Sequence, residues 1–199
     1  MASNSLWTRL MRTFLNLLKN LTVALSIVLA TAGQTLASEA SDAATSSCPE
    51  WFDHDFKQLH KDNMINLCEL TKDKPVLVIN TASHCGFTRQ FKTLEVIHQT
   101  YKDQGLVVVG FASDSFNQEA GAEEEIAEVC YINYGVSFTM MSPIAVKGDE
   151  AHPLFKHLAL KSSEPKWNFN KFLISKDRES ITHMGSGKLP TPSTIERLL

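Results

Sequence analysis

No two of the four cysteines in this chain of 199 residues form a C-x-x-C pair, and positions 48, 68, 85 and 130 lack the paired spacing of a zinc module. A dithiol oxidoreductase motif and a structural zinc site are both excluded. The histidines, His54, His60, His84, His98, His152, His157 and His183, contain no H-E-x-x-H, so no metal site is expected. Gly185-Ser-Gly187-Lys188 imitates part of a phosphate loop, but Leu189 stands where Ser or Thr is required and Thr182 where Gly is required. Long apolar runs are also missing, for Leu21 to Ala32 extends only 12 residues, and a membrane span needs roughly 20. An excess of base is absent: 19 basic residues face 22 acidic ones. Three of the bases, Arg9, Arg12 and Lys19, lie in a first segment without acid, so the rest carries 16 against 22, a net of −6. That sign repels phosphate backbones and anionic membrane surfaces, so nucleic acid is not an expected partner. With only 9 Gly and 7 Pro and 43% apolar residues, the chain is neither fibrous nor disordered, and its length suits one globular domain.

What is present begins with a leader. A basic start, the apolar run to Ala32 and the small residues around Thr35-Leu36-Ala37 read as a signal peptide over 1–37, cleaved after Ala37. An uncleaved anchor is the alternative, weakened by Lys19-Asn20 interrupting the run. The expected location is exported, in the periplasm. Residues 38–47 (SEASDAATSS) have nothing larger than Ala to pack and read as a flexible tether. The working domain is 48–199.

Within it the pattern alternates between two periods. Asp55 to His60 and Met64 to Leu70, around Lys61-Asp62-Asn63, predict a β-hairpin. Val76 to Ile79 predicts a buried strand, and Thr88 to Tyr101 a helix with Phe91, Leu94, Ile97 and His98 on one face. Leu106 to Phe111 is a second buried strand, followed by a helix over Glu123 to Tyr134 with the stripe Ile126, Val129, Cys130. Strands at Phe172 to Ser175 and Ile181 to Met184 follow, then a short helix opened by Pro192 and the capping box Ser193-x-x-Glu196. Glu119 and Glu123 to Glu125 place negative charge at a helix start, where the dipole favours it. This order of elements predicts an α/β fold, a sheet with a parallel core flanked by helices.

Cys85 lies in Thr81-Ala-Ser-His-Cys85-Gly-Phe-Thr88, just after a buried strand and just before a helix. Backbone N–H groups and the helix dipole there favour a thiolate, the nucleophilic form. The plainer reading of a lone cysteine is a small core residue. Position argues for chemistry, because ligands of open α/β sheets sit at strand-to-helix turns.

Asn80-Thr-Ala-Ser-His-Cys85-Gly86-Phe87-Thr88, Gly110-Phe111 with Phe116 and Gln118-Glu119, Glu124-Glu125-Ile126, and Trp167-Asn168-Phe169-x-Lys171-Phe172-Leu173 resemble the successive motifs of the glutathione peroxidase family. The resemblance runs from about Phe56 to Leu199. It implies a thioredoxin-like fold, a central mixed sheet flanked by helices with an N-terminal β-hairpin, and a hydroperoxide substrate. Cys85 would attack the terminal peroxide oxygen and become a sulfenic acid. Trp167 and Asn168 match the family's indole and amide N–H donors, which hold the thiolate and stabilise charge as the O–O bond breaks.

One position departs from the pattern. Where the family places Gln before the Phe of its second motif, this chain has Ser115, whose side chain is too short to reach the same point. Three outcomes stay open: Ser115 works through a water, Gln118 takes the place, or turnover is slow. Cys130 matches the resolving cysteine of the thioredoxin-dependent, two-cysteine branch, though its stripe with Ile126 and Val129 also suits plain core packing. Since a disulfide needs Cα atoms within about 7 Å, a buried helical Cys130 would reach Cys85 only by local unwinding of its helix. Cys48 and Cys68 read as a structural disulfide of an exported protein, with a second redox pair as the alternative. His84 is a candidate for tuning Cys85. The stretch Ala151 to Lys166 lacks the insertion that tetrameric members of the family use, which implies a monomer. The sequence thus predicts a thiol peroxidase without metal, flavin or nucleotide cofactor, with a thioredoxin-like protein or glutathione as reductant. The alternative is a peroxide sensor or redox relay that passes oxidation to a partner.

Overall fold

The computed structural model describes residues 48–199; the leader expected over 1–37 and the tether over 38–47 lie outside the described residues. Near the start, β1 (Asp55–Lys57) pairs antiparallel with β2 (Met64–Asn66), giving the expected hairpin. Its second strand is shorter than the expected Met64 to Leu70. Asn66 ends it, because its Oδ1 accepts from Glu69 N–H at 3.0 Å and so caps a helical turn, α1 (Leu67–Leu70). The Nδ2 of Asn66 donates to Asp53 and Asp55, locking that corner.

The main sheet has the order β5-β4-β3-β6-β7, built from β3 (Val76–Thr81), β4 (Val107–Ala112), β5 (Thr139–Met141), β6 (Lys171–Ile174) and β7 (Ile181–Met184). β3, β4 and β5 run parallel, whereas β6 and β7 join antiparallel. The sheet is mixed, with the parallel pair β3–β4 at its heart. A central strand is buried on both faces and needs no polar face, which is why Val76-Leu-Val-Ile79 is apolar throughout. Its alternation still sorts the core: Leu77 and Ile79 face one apolar cluster, Val76 and Val78 the other. At Gly110 in β4, opposite Met140 of β5, a Cβ would collide with the Met140 thioether, so glycine permits the strands to carry that side chain between them.

The connecting helices cover both faces. After β3 a short 3₁₀ turn (Thr88–Gln90) leads into α2 (Phe91–Tyr101), which buries Phe91, Leu94, Ile97 and Tyr101 in the first cluster. After β4 comes α3 (Glu123–Ala127), continued by a π-helical turn over Glu128–Asn133. On the opposite face α4 (Pro153–Lys161) buries Leu154, Phe155 and Leu158. The last helix, α5 (Pro192–Glu196), opens at Pro192 as expected, but its cap is Thr191 rather than Ser193. Thr191 has the extended backbone a cap requires and its Oγ1 accepts from Thr194 N–H, while Ser193 already lies inside the helix. The architecture is thioredoxin-like, with the hairpin at its N-terminal side. No described helix is long and apolar enough to cross a membrane.

Candidate active site

The carboxyl ends of β3 and β4 and the chain entering β6 meet at one end of the sheet. Cys85 follows β3 in a turn held by Thr88, whose hydroxyl donates to the Ala82 carbonyl at 2.8 Å and accepts from Cys85 N–H at 3.1 Å. Thr88 N–H returns to the Cys85 carbonyl at 2.9 Å. The turn leaves Phe87 N–H aimed at Cys85 Sγ, 3.5 Å away, so the sulfur itself receives a backbone donor at the helix entrance. Cys85 is buried to 8% exposure and carries a free thiol.

The segment after β4 straps this turn. His84 N–H donates to the Gln118 carbonyl at 2.9 Å, and Ser83 N–H donates to Glu119 Oε1 at 2.8 Å. From the other side Asn168 Nδ2 donates to Gln118 Oε1 at 3.3 Å. Gln118 is therefore the residue that links the Cys85 turn to the Trp167–Asn168 turn. Ser115 is engaged elsewhere: its Oγ accepts from Val146 N–H at 3.0 Å and from the Ser113 hydroxyl at 3.1 Å. Gln118 is thus brought to Asn168, while the Ser115 oxygen accepts within its own loop.

Asn80 fixes the second turn. At the end of β3 its Oδ1 accepts from Asn170 N–H, its carbonyl from Phe169 N–H, and its Nδ2 donates to the Trp167 carbonyl. Phe169 takes a left-handed φ of 60°, unusual for a bulky side chain, just after exposed Trp167 and buried Asn168. Trp167 packs on Phe116 with ring centroids 5.4 Å apart and remains 40% exposed. Behind the turn, Lys171 Nζ is fully buried and donates to Gln90 Oε1 and the Ser186 carbonyl. Burial pushes its ammonium down to about 8. The Gly185-Ser-Gly187 stretch thus serves as an acceptor for Lys171 and Gln90.

Cys130 is also free, 1% exposed, and sits in the π-helical turn. It shares one apolar cluster with Cys85, Ile126, Ala127 and Phe169. Burial, aided by the Glu119 charge, pushes its thiol up to about 12, so in this state it is neutral. Cys48 and Cys68 form a disulfide with Cα atoms 6.1 Å apart, remote from this site in the second cluster. His84 lies at the surface with Nε2 3.5 Å from Glu125 on α3.

Sequence reasoning missed three residues of the site. Asn80 follows four apolar residues in a strand buried throughout, and a buried amide there is itself the signal. Asn170 sat unremarked inside a motif. Sequence position groups Glu119 with the helix-start acids, whereas α3 begins at Glu123 and Glu119 is a half-buried side chain whose Oε1 accepts from Ser83 and Ala120 N–H.

Comparison with known proteins adds to this geometry. A family profile described as glutathione peroxidase matches residues 51–159. The chain belongs to the glutathione peroxidase family. It is a peroxidase by that membership. A glutathione peroxidase of Lactococcus lactis is 53% identical over 116 residues, 55% of this chain and 74% of that protein. The glutathione peroxidase-like peroxiredoxin HYR1 of Saccharomyces cerevisiae is 42% identical over 137 residues, 64% of this chain and 84% of that protein. Among solved structures, Trgpx in its apo form superposes with a TM-score of 0.58 at 35% identity, covering 76% of this chain and 94% of that one. A structure of MTB dsbF, at a TM-score of 0.52 and 12% identity, shares the thioredoxin-like fold and covers 76% of the peroxidase and 97% of its own chain. Among the described residues no group of His, Cys, Asp and Glu is arranged to hold a metal ion.

Proposed function

We propose that this peroxidase reduces hydrogen peroxide or organic hydroperoxides through Cys85 and resolves the product with Cys130. The observation that carries the reading is the arrangement at the strand ends: a free sulfur facing a backbone donor, in a turn tied through the Gln118 carbonyl to the Gln118–Asn168 amide pair. The Cys85 thiolate attacks the terminal oxygen, the O–O bond breaks, and water or an alcohol leaves once the departing oxygen gains a proton. Gln118, Asn168 and the Trp167 indole are the donors for the charge that develops, and losing one such donor costs roughly 10²–10³-fold in rate.

The oxidised Cys85 is a sulfenic acid, and Cys130 condenses with it to a disulfide. Its π-helical turn favours this, because a widened turn such as Tyr134 N–H to the Val129 carbonyl holds its backbone less regularly than an α-helix. Cys130 leaves the core as that turn unwinds, and exposure lets its thiol ionise. The relatives named glutathione peroxidase-like peroxiredoxin support thiol-based turnover of this kind. A thioredoxin-like protein or glutathione then returns the electrons. The proposed setting is outside the cytoplasm, in the periplasm, after removal of residues 1–37, with the domain working as a monomer.

Single-turnover oxidation by hydrogen peroxide, read by intact mass, tests the assignment. The wild type is expected to end as a Cys85–Cys130 disulfide, Cys130→Ser as a stable sulfenic acid, and Cys85→Ser as unreacted protein. A sulfenic acid that persists in the wild type removes Cys130 from the cycle; oxidation of Cys85→Ser at the wild-type rate removes Cys85. Stoichiometric oxidation without turnover by either reductant would favour a sensor or relay.

A further inference from the structure

The buried carboxyl of Glu119 has one oxygen committed and one free. Oε1 accepts from Ser83 N–H at 2.8 Å and from Ala120 N–H at 3.0 Å, while Oε2 is buried without a hydrogen-bond partner. A buried polar atom left open in this way calls for a reason. Ser83 precedes Cys85 by two residues, and Ala120 packs in the cluster that holds both Cys85 and Cys130. Through Oε1, Glu119 is therefore tied to the Cys85 turn on one side and, on the other, to Ala120 in the apolar cluster that also holds Cys130. When the π-helical turn unwinds and Cys130 moves, the backbone bonds from Ser83 and Ala120 would keep Glu119 at the Cys85 turn, to which Cys130 must come.

We propose that Glu119 is the proton acceptor for Cys130 when the two free cysteines join. This rests on the assignment of Cys130 as the resolving thiol. In the balanced step the Cys130 S–H proton passes to Glu119 Oε2 as the sulfur attacks Cys85. The Cys85 S–O bond then breaks, and the departing hydroxide takes the proton back from Glu119 as water. Cys130 sulfur is oxidised, Cys85 sulfur is reduced, and Glu119 returns ionised. Two further facts agree with the role. Burial raises the Glu119 carboxyl above its ordinary value, which brings a base closer to the acidity of a thiol. The Glu119 charge also disfavours a Cys130 thiolate, so Cys130 lies within the field of this carboxyl.

Glu119→Gln isolates the proton step, since its amide oxygen can still accept from Ser83 and Ala120 N–H. With hydrogen peroxide as oxidant and dimedone trapping of the sulfenic acid, the rate of Cys85 oxidation is read apart from that of disulfide formation in the same variant. Disulfide formation should slow by about 10²-fold, the ordinary contribution of a positioned base. Disulfide formation at the wild-type rate, or faster, overturns the proposal; faster is what removal of a mere repelling charge would give. A wild-type measurement needs no variant: the pH profile of disulfide formation should bend at a carboxyl titration. The titratable groups around Glu119 include Asp114, whose Oδ1 accepts from Glu119 N–H at 3.1 Å, Cys130 and Tyr131 in the π-helical turn, and Cys85 and His84 in the strapped turn, with Glu125 of α3 paired to His84. The bend should therefore persist in His84→Asn and also in Asp114→Asn, and a profile that follows only thiol ionisation sinks the idea. Complete absence of a Cys85–Cys130 disulfide from wild type is a different failure, which takes the resolving role and this step together.

Discussion

Asn80 and Asn170 are bonded to each other in both directions, Asn170 N–H to Asn80 Oδ1 at 3.0 Å and Asn80 N–H to the Asn170 carbonyl at 3.3 Å. One link is strand pairing; the other uses a fully buried amide side chain to seize the turn that presents Trp167 and Asn168. Replacing Asn80 by Leu keeps the volume and leaves Asn170 N–H without an acceptor. Thermal or denaturant unfolding should show a loss of about 1–3 kcal/mol, the usual cost of an orphaned buried group. Peroxide oxidation of Cys85 should slow in the same variant, because Asn168 loses its fixed approach to Gln118. A variant with wild-type stability and rate would show that the clamp is incidental.

Gln118 and Ser115 make opposite predictions. Gln118→Ala removes the acceptor of Asn168 and a donor at the site, and should lower the rate of Cys85 oxidation by roughly 10²-fold. Ser115→Ala should leave that rate nearly unchanged and cost about 1 kcal/mol of stability through Val146 N–H. Stopped-flow oxidation beside denaturant titration separates the two. A slow Ser115→Ala with an unaffected Gln118→Ala would reverse the assignment.

The strong periodic signals were legible from residues alone: β3, β4, α2 and the placement of Cys85 between a strand and a helix. β5 was not, since three residues give no period to read. α4 was not, because its cap is His152, an uncommon choice, whose Nδ1 accepts from Leu154 N–H at 3.2 Å. The site shows the same division. Cys85, Trp167 and Asn168 stand in motifs, but the choice between Ser115 and Gln118 depends on how the loop after β4 spends its hydrogen bonds. No local pattern records that Val146, 31 residues on, claims the Ser115 hydroxyl. Glu119 is illegible for a related reason, as proximity in sequence to Glu123–Glu125 hides its bond from Ser83 N–H.

His152 predicts an acid-sensitive helix. Burial, with the neighbouring His54, pushes its imidazole down to about 4, which suits a ring nitrogen that must stay unprotonated to cap α4. The unfolded chain binds this proton near the ordinary value, about 6.5, and the folded one only near 4. Stability contributed by this group is therefore fully present above that upper value and lost as pH falls towards 4. His152→Asn, which keeps a capping oxygen, should flatten the fall between those pH values. An unchanged slope in urea midpoints against pH would refute the link.

Cys48 and Cys68 bear on stability and not on turnover. Their bridge closes a separation of 20 residues and holds the chain that places Trp51 against His157 and Phe52 beneath Arg178. Loop closure of that length contributes on the order of 3 kcal/mol in the chain-entropy account. The double variant Cys48→Ala, Cys68→Ala should melt well below the wild type, while single-turnover oxidation of Cys85 below the melt should run at the same rate. The reasoning is spatial: the bridge lies in the apolar cluster containing Phe52 and Phe155, and Cys85 in the cluster on the other side of the sheet. Loss of peroxide reaction in a folded double variant would mean that this pair takes part in the redox cycle, and would restore the reading of a second active couple.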